Sequence, residues 1–338
     1  MDGKKISGLN SVKTRLIAVM LAVAAIPLII ALVVSYKTST DKAMADAEDK
    51  LQWQCEYIAE EFNSIIMQNV RALEMAASNA NVVYYMEGNP YGVPDEEVLN
   101  AIKSVDDIFN DGNATALAGP DGMQLFRTVG KCVDVADREY FQQGISGKVY
   151  VSDIIVSKST GTRICTIIVP IIGHEGKPIG TIQRNYDLNV WHEFLKAQSD
   201  DAFLADTTGI VAAHSQYEFG PEDVEDRSTS EFMTSGKASG IYQADTGKGY
   251  SAVIAYTTDE LTGWHICNAS NTKVIGEAAR KSATVVIVIG VIMLVIAAGV
   301  SIFMARSFTA PIEDVNVSIA ALADGRFSKV ENHTGRKD

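Results

Sequence analysis

Asp137-Arg138-Glu139-Tyr140-Phe141, then Tyr150-Val151-Ser152-Asp153, Ser159-Thr160-Gly161 and a last run from Gly180 to Tyr186-Asp187 form the stretch on which the chain turns. A charged-aromatic helix tip passes through a Gly-Lys turn into β-branched runs, and the turn Gly173-His174-Glu175-Gly176 precedes the final strand. One cation, two aromatic rings and several acceptors are thereby expected around one concavity. That is a small-molecule site without a catalytic set.

Working outward, Ala114 to Ala118, Gln124 to Val129, Val149 to Val156, Arg163 to Val169 and Gly180 to Tyr186 are short runs separated by turn formers. They predict five strands around one helix, a small antiparallel sheet domain. Ala202 to Ala205 with Gly209 to Ala213, Gly240 to Gln243 with Tyr250 to Thr257, and Gly263 to Asn268 predict a second sheet after a short helix at Trp191 to Leu195. Leu117-Ala-Gly-Pro-Asp-Gly122 and Leu204-Ala-Asp-Thr-Thr-Gly209 occupy comparable places, so the two sheets read as tandem modules. Upstream, Leu51, Cys55, Ile58, Phe62 and Ile65, prolonged by Val70, Leu73 and Ala77, recur at helical spacing and predict one long amphipathic helix. Its stripe serves either packing against the sheets or a dimer seam. Asp95 to Asn110 predicts a shorter helix opened by acidic residues.

Net charge is −13 over 338 residues, but the charge is partitioned. Leu16 to Val34 and Ala283 to Ala305 are uncharged runs of 19 and 23 residues, each long enough to cross a bilayer as a helix. Lys4, Lys5, Lys13 and Arg15 precede the first, and Arg306, Arg326, Lys329, Arg336 and Lys337 follow the second, which places both termini in the cytoplasm. The segment between holds 20 of the 29 basic and 36 of the 42 acidic residues, a net −16 that disfavours nucleic acid. A cleaved signal peptide fits poorly, because the first run is too long and Ala43-Met44-Ala45 lies well beyond it.

The motifs of the opening stretch, with Pro170 and the Glu175-Gly176 turn, resemble the membrane-distal module of double Cache sensor domains over roughly Thr38 to Lys281. Pro311-Ile312 through Asp324-Gly325-Arg326-Phe327 resembles the first helix and connector of a HAMP signal-transfer domain. The resemblance implies an α+β membrane protein in which a long N-terminal helix carries two tandem PAS-like antiparallel-sheet Cache modules between two transmembrane helices. The expected division is a cytoplasmic N-terminus (1–13), a first span (14–36), an extracytoplasmic sensor (37–281), a second span (282–305) and a partial HAMP domain (306–338). Within the sensor, the distal module covers about 80–190 and the proximal about 191–270. The implied function is that of a chemoreceptor of the methyl-accepting type, sensory part only. The cytoplasmic output domain lies beyond this chain, and the sensory half of a histidine kinase or diguanylate cyclase is the alternative. A homodimer in the cell membrane is implied.

By motif the resemblance carries ligand contacts to Arg138, Tyr140 and Asp187. Arg138 offers a planar donor fork suited to a carboxylate or a pyrimidine carbonyl edge, and Asp187 an acceptor for an ammonium or N–H. Asp153, Ser157, Thr166 and Phe141 complete the candidate set. Strand alternation adds Asn185 and Gln183, with Arg184 and Tyr186 on the opposite face. Amino-acid-binding members carry Tyr and Asp where Ile155 and Ser157 stand, so the amino anchor is incomplete. The expected ligand is a small metabolite: a carboxylate or nucleobase-like compound ahead of an amino acid or amine.

An enzyme is not expected. His174, His192, His214, His265 and His333 are scattered singly, without a His-Glu-x-x-His, Gly-x-Ser-x-Gly or Walker pattern. No metal or cofactor is predicted. Cys55, Cys132, Cys165 and Cys267 match no zinc spacing and fix no pairing.

Overall fold

A computed structural model describes residues 12–245 and 249–323. The chain divides into two compact units, Asp46–Lys273 and the paired ends Met1–Ala45 with Val274–Asp338. In chain order the helices and strands are α1 (Val12–Ala77), α2 (Ala80–Met86), α3 (Asp95–Phe109), β1 (Ala114–Ala118), β2 (Gln124–Arg127), α4 (Glu139–Ile145), β3 (Tyr150–Val151), β4 (Ile155–Val156), β5 (Arg163–Ile172) and β6 (Pro178–Asp187). There follow α5 (Leu188–Gln198), β7 (Ala202–Ala205), β8 (Val211–His214), α6 (Glu231–Thr234), β9 (Ser239–Asp245), β10 (Ser251–Thr258), β11 (His265–Asn271) and α7 (Thr272–Ala323).

Within Asp46–Lys273 the α1 stripe packs inward. Leu51, Cys55, Ile58, Phe62, Ile66, Val70, Leu73 and Ala77 are buried at steps of four and three, an average near the 3.6-residue period. Ile66 takes the place expected of Ile65, which is half-buried, because a further step of four keeps the stripe in phase. Phe62 lies 4.7 Å from Trp191 and 5.9 Å from Trp264, and the Cys55 thiol donates to the carbonyl of Ile266 at 3.1 Å. This face of α1 is therefore intramolecular core. All four cysteines are free, and burial pushes the Cys55 and Cys165 thiols up to about 12, which keeps them as inert core groups.

Two antiparallel sheets follow, in the orders β2-β1-β6-β5-β3, with β4 also on β5, and β8-β7-β11-β10-β9. Their first hairpins repeat one design. Gly122 and Gly209 adopt φ of 87° and 90°, and a Cβ at either would fall 2.5 Å from Ala136 Cα or 2.6 Å from Ser228 Cα. Single bridges, Met123 to Asp134 and Ile210 to Asp226, close both loops. The run Val149 to Val156, expected as one strand, is broken into β3 and β4. Ser152 Oγ accepts from the Thr166 N–H (2.9 Å) while Ile154 N–H donates to Asp206 (3.3 Å), so the backbone leaves the ladder toward the second sheet. The hairpin tip at 246–248 and the Asp324–Asp338 part of the HAMP-like stretch lie outside the described residues. α7 continues through Pro311 to Ala323.

The distal sheet is tied to the helices by Arg184, which has no exposed surface. Its guanidinium donates to Asn69 of α1 (2.8 Å), Asp106 of α3 (2.8 Å) and Asp111, and lies over the Phe109 ring at 4.8 Å. Burial works against ionisation of Asp111, but its bonds to Arg184 and Asn113 outweigh this and hold its pKa below the usual range. Arg184→Met should cost about 3–5 kcal/mol, since two partly buried carboxylates lose their partner. In a unit of this size that lowers Tm by on the order of 10 °C. A shift under about 2 °C in thermal unfolding would contradict this role. Because the folded pKa of Asp111 is depressed, its contribution is complete above the ordinary value of about 3.9 and is lost as pH falls through the lowered one. Asp111→Asn should accordingly flatten the loss of stability on acidification below about pH 4, measured as Tm against pH.

Candidate ligand-binding site

α4 is short, with Arg138 as its N-cap residue and Tyr140 and Phe141 turned inward. It lies so close to the distal sheet that a Cβ on Gly144 would stand 2.8 Å from Ile168 Cδ1 and 3.2 Å from Thr181 Cγ2. Between the start of α4, β2, β4 and the face of β5 and β6 is a narrow cavity of about 10 Å³, room for about one water. Sites for small-molecule ligands run to ~300–1,000 Å³, so a ligand could enter only if these walls moved apart.

Its polar walls carry one sign of charge. Arg127, Arg138 and Lys158 line it, and among the described residues no acidic one does. Arg127 is 9% exposed, its Nε donating to the carbonyl of Val129 at 2.6 Å. Burial lowers its pKa, yet a guanidinium remains charged at neutral pH. Arg138 Nη2 donates to the Val156 carbonyl at 3.2 Å, fastening α4 to β4 across the mouth. Lys158 adds a second strap, to Asp137 at 2.6 Å and the Asp134 carbonyl at 3.1 Å, and its bond holds the Asp137 pKa down. On the floor Gln183 Nε2 donates to the Tyr140 hydroxyl at 3.4 Å, and burial raises the Tyr140 pKa, keeping the phenol neutral. Gln183 Oε1 and Gln124 Nε2 are buried without a partner among the described residues. Such groups are costly unless something fills the cavity and pairs with them.

Of the residues expected at the site, Arg138, Tyr140, Ser157 and Asn185 line this cavity, as does Gln183. Ser157 Oγ accepts from the N–H groups of Ser159 and Thr160 and so shapes the turn beneath Lys158. The other four are placed elsewhere. Phe141, 2% exposed, is core against Val135 and Ile168. Thr166 is fully buried and donates to Asn185 Oδ1 at 3.3 Å, acting behind the wall. Asp187 caps α5, accepting from the Asn189 N–H at 2.9 Å. Asp153 accepts from both the N–H (3.0 Å) and the hydroxyl (2.7 Å) of Thr207, joining the distal module to the proximal hairpin.

Gln124, Arg127 and Lys158 escaped the sequence reading. Simple alternation puts positions 124 and 127 on opposite faces, but the β1–β2 register shifts between Leu117 and Ala118. This bulge brings both side chains to the cavity. Lys158 carried a weaker signal, a lone cation in a Ser-Lys-Ser-Thr-Gly turn.

Comparison with known proteins agrees with this architecture. A Cache domain family model, dCache_1, matches residues 37–278. Methyl-accepting chemotaxis protein McpB of Bacillus subtilis (strain 168) is 21% identical over 96% of this chain, which spans about half (49%) of McpB. The ligand-binding domain of the Campylobacter jejuni chemoreceptor Tlp3, solved with L-valine, superposes with a TM-score of 0.57 at 12% identity, covering 71% of this chain and 98% of that domain. The extracellular domain assigned to a histidine kinase, rpHK1S-Z16, superposes with a TM-score of 0.53 at 15% identity, covering 68% of this chain and 95% of that one. With the family model covering most of its length and both sheets in place, the chain belongs to the Cache domain family and carries a double Cache sensor domain.

Proposed function

We propose that this chain is the sensory and signal-transfer part of a transmembrane chemoreceptor whose distal cavity binds a small organic anion, a carboxylate of metabolite size. The observation that carries the ligand class is a cavity lined by Arg127, Arg138 and Lys158 and, among the described residues, by no acid. A carboxylate pairs with a guanidinium fork, and a hydroxyl or N–H on the same ligand would pair with Gln183 Oε1. An α-amino acid would find its carboxylate bound and its ammonium without a counter-ion, since Asp187 and Asp153 are engaged outside the cavity.

Membrane insertion is supported by the surfaces of the end helices. α1 exposes Val19, Val23, Ile30 and Val33, and α7 exposes Val285, Ile289, Ile292 and Ile296, apolar surface of a kind that water does not tolerate in such extent. At Gly290 a Cβ would sit 2.7 Å from Leu32 Cδ1, the close approach that small residues permit between membrane helices. The segments 14–36 and 282–305 are the proposed spans, with 37–281 outside and 306–338 opening a HAMP domain within. A homodimer is part of the same reading. The stacked pair Trp53 and Tyr57, 66% and 42% exposed, offers an aromatic surface away from the packed stripe of α1. The likeness to the histidine kinase domain supports a second reading, a kinase output on the same sensor.

Signal leaves the cavity through β4. Ligand that draws in Arg138 moves Val156, and the adjoining segment is held by Asp206 and Thr207 of the proximal module. Only a difference in affinity between the two arrangements can drive such a shift.

The test is thermal unfolding of the whole chain in detergent with carboxylates, amino acids, amines and nucleobases. A carboxylate at about a hundred times its Kd should stabilise by ~2.7 kcal/mol. That corresponds to roughly 5–10 °C, and Arg138→Ala should abolish it. Stabilisation by an amine alone, unchanged in Arg138→Ala, would sink the anion assignment.

A further inference from the structure

Outside the distal cavity, His192 has an arrangement that a purely structural histidine does not need. It lies on α5, whose buried side is formed by Leu188, Trp191 and Leu195, and it is itself only 6% exposed. Its Nδ1 is 2.6 Å from the carbonyl oxygen of His214. A carbonyl only accepts, so Nδ1 carries the proton and the neutral ring presents a lone pair at Nε2. Nε2 points toward two carboxylates, 3.7 Å from Glu193 Oε1 and 3.9 Å from Glu218 Oε1. Both separations exceed hydrogen-bond reach, so Nε2 has no hydrogen-bond partner among the described residues.

The three ligand atoms all lie within 4.8 Å of one another. A metal held by bonds of ~2.0–2.2 Å in tetrahedral geometry sets its ligand atoms about 3.3–3.5 Å apart. The exposed side chains of Glu193 and Glu218 can close the remaining gap, at most about 1.5 Å at the widest pair, by rotation about their flexible torsions. A histidine that donates its second ring N–H to a backbone carbonyl is also the arrangement that orients an imidazole for metal binding.

We propose that His192, Glu193 and Glu218 form a binding site for a divalent transition-metal ion, with water completing the coordination. One imidazole with two carboxylates suits Zn²⁺ better than Mg²⁺ or Ca²⁺, which take all-oxygen sets. Lys196, 3.6 Å from Glu193, is the competing cation that metal must displace. Occupancy would clamp α5, the helix that follows the last distal strand, to the segment after β8 in the proximal module. The site is separate from the anion cavity and does not depend on that assignment.

The experiment is Zn²⁺ titration by calorimetry of the whole chain in detergent, after chelator treatment. Saturable binding of one equivalent is expected, weakened at least tenfold in Glu218→Gln and in His192→Gln, and unchanged in Glu222→Gln. Glu218 is largely exposed, so its variant keeps the fold even if His192→Gln does not. Lys196→Ala should bind equally or more tightly. Absence of saturable binding, equal affinity in Glu218→Gln, or equal competition by Mg²⁺ would overturn the proposal.

Discussion

A full positive charge without exposed surface is the constraint from which the distal module follows. Arg184 could not be buried there alone, since the desolvation of an isolated ion is far larger than the stability of a domain. Asn69, Asp106, Asp111 and the ring of Phe109 together make it tolerable, and they come from α1, α3 and the turn after α3. Satisfying one guanidinium therefore fixes two helices against β6. The neighbouring residues on that strand, Gln183 and Asn185, face the other way and form the cavity floor. The helix side of the sheet and the cavity side are registered to each other through a single residue.

Periodicity carried much of the fold. The long α1 stripe, the two hairpins with their glycine turns and the assignment of Arg184 and Gln183 to opposite faces could be read because each depends on spacing within one element. What could not be read depended on partners distant in sequence. The break between β3 and β4 arises because Asp206, some fifty residues on, captures a backbone donor. Asp153 has the type of a ligand acceptor, but the Thr207 hydroxyl and N–H occupy it. Asp187 was equally suited to a cap, and the start of α5 claimed it. Gln124 and Arg127 were hidden by a bulge, which inverts the face of every later residue on its strand and leaves little trace in composition. At the site, then, residue types were legible but their side-chain partners were not.

The two modules are joined by polar contacts concentrated at one place. Arg163 donates to the Val211 carbonyl at 2.8 Å, Ile154 to Asp206 and Thr207 to Asp153. Ile154 and Asp153 adjoin β4 in sequence and Arg163 pairs with Val156 of β4, which is also the cavity wall gripped by Arg138. Apolar contacts can slide, but directional bonds lose most of their energy when bent. A small displacement of β4 thus has to be followed by the proximal hairpin or cost several bonds.

Gly144 has a consequence for how such a receptor diversifies. The distance between α4 and the sheet is set there by a hydrogen atom, because any larger substituent would meet Ile168 and Thr181. A residue with a side chain would act as a wedge, lifting the helix that bears Tyr140 and enlarging the chamber beneath it. If the cavity is the ligand site, the bulk it admits is in this sense encoded at a position outside its lining, and a larger ligand could be accommodated while every lining residue stayed the same.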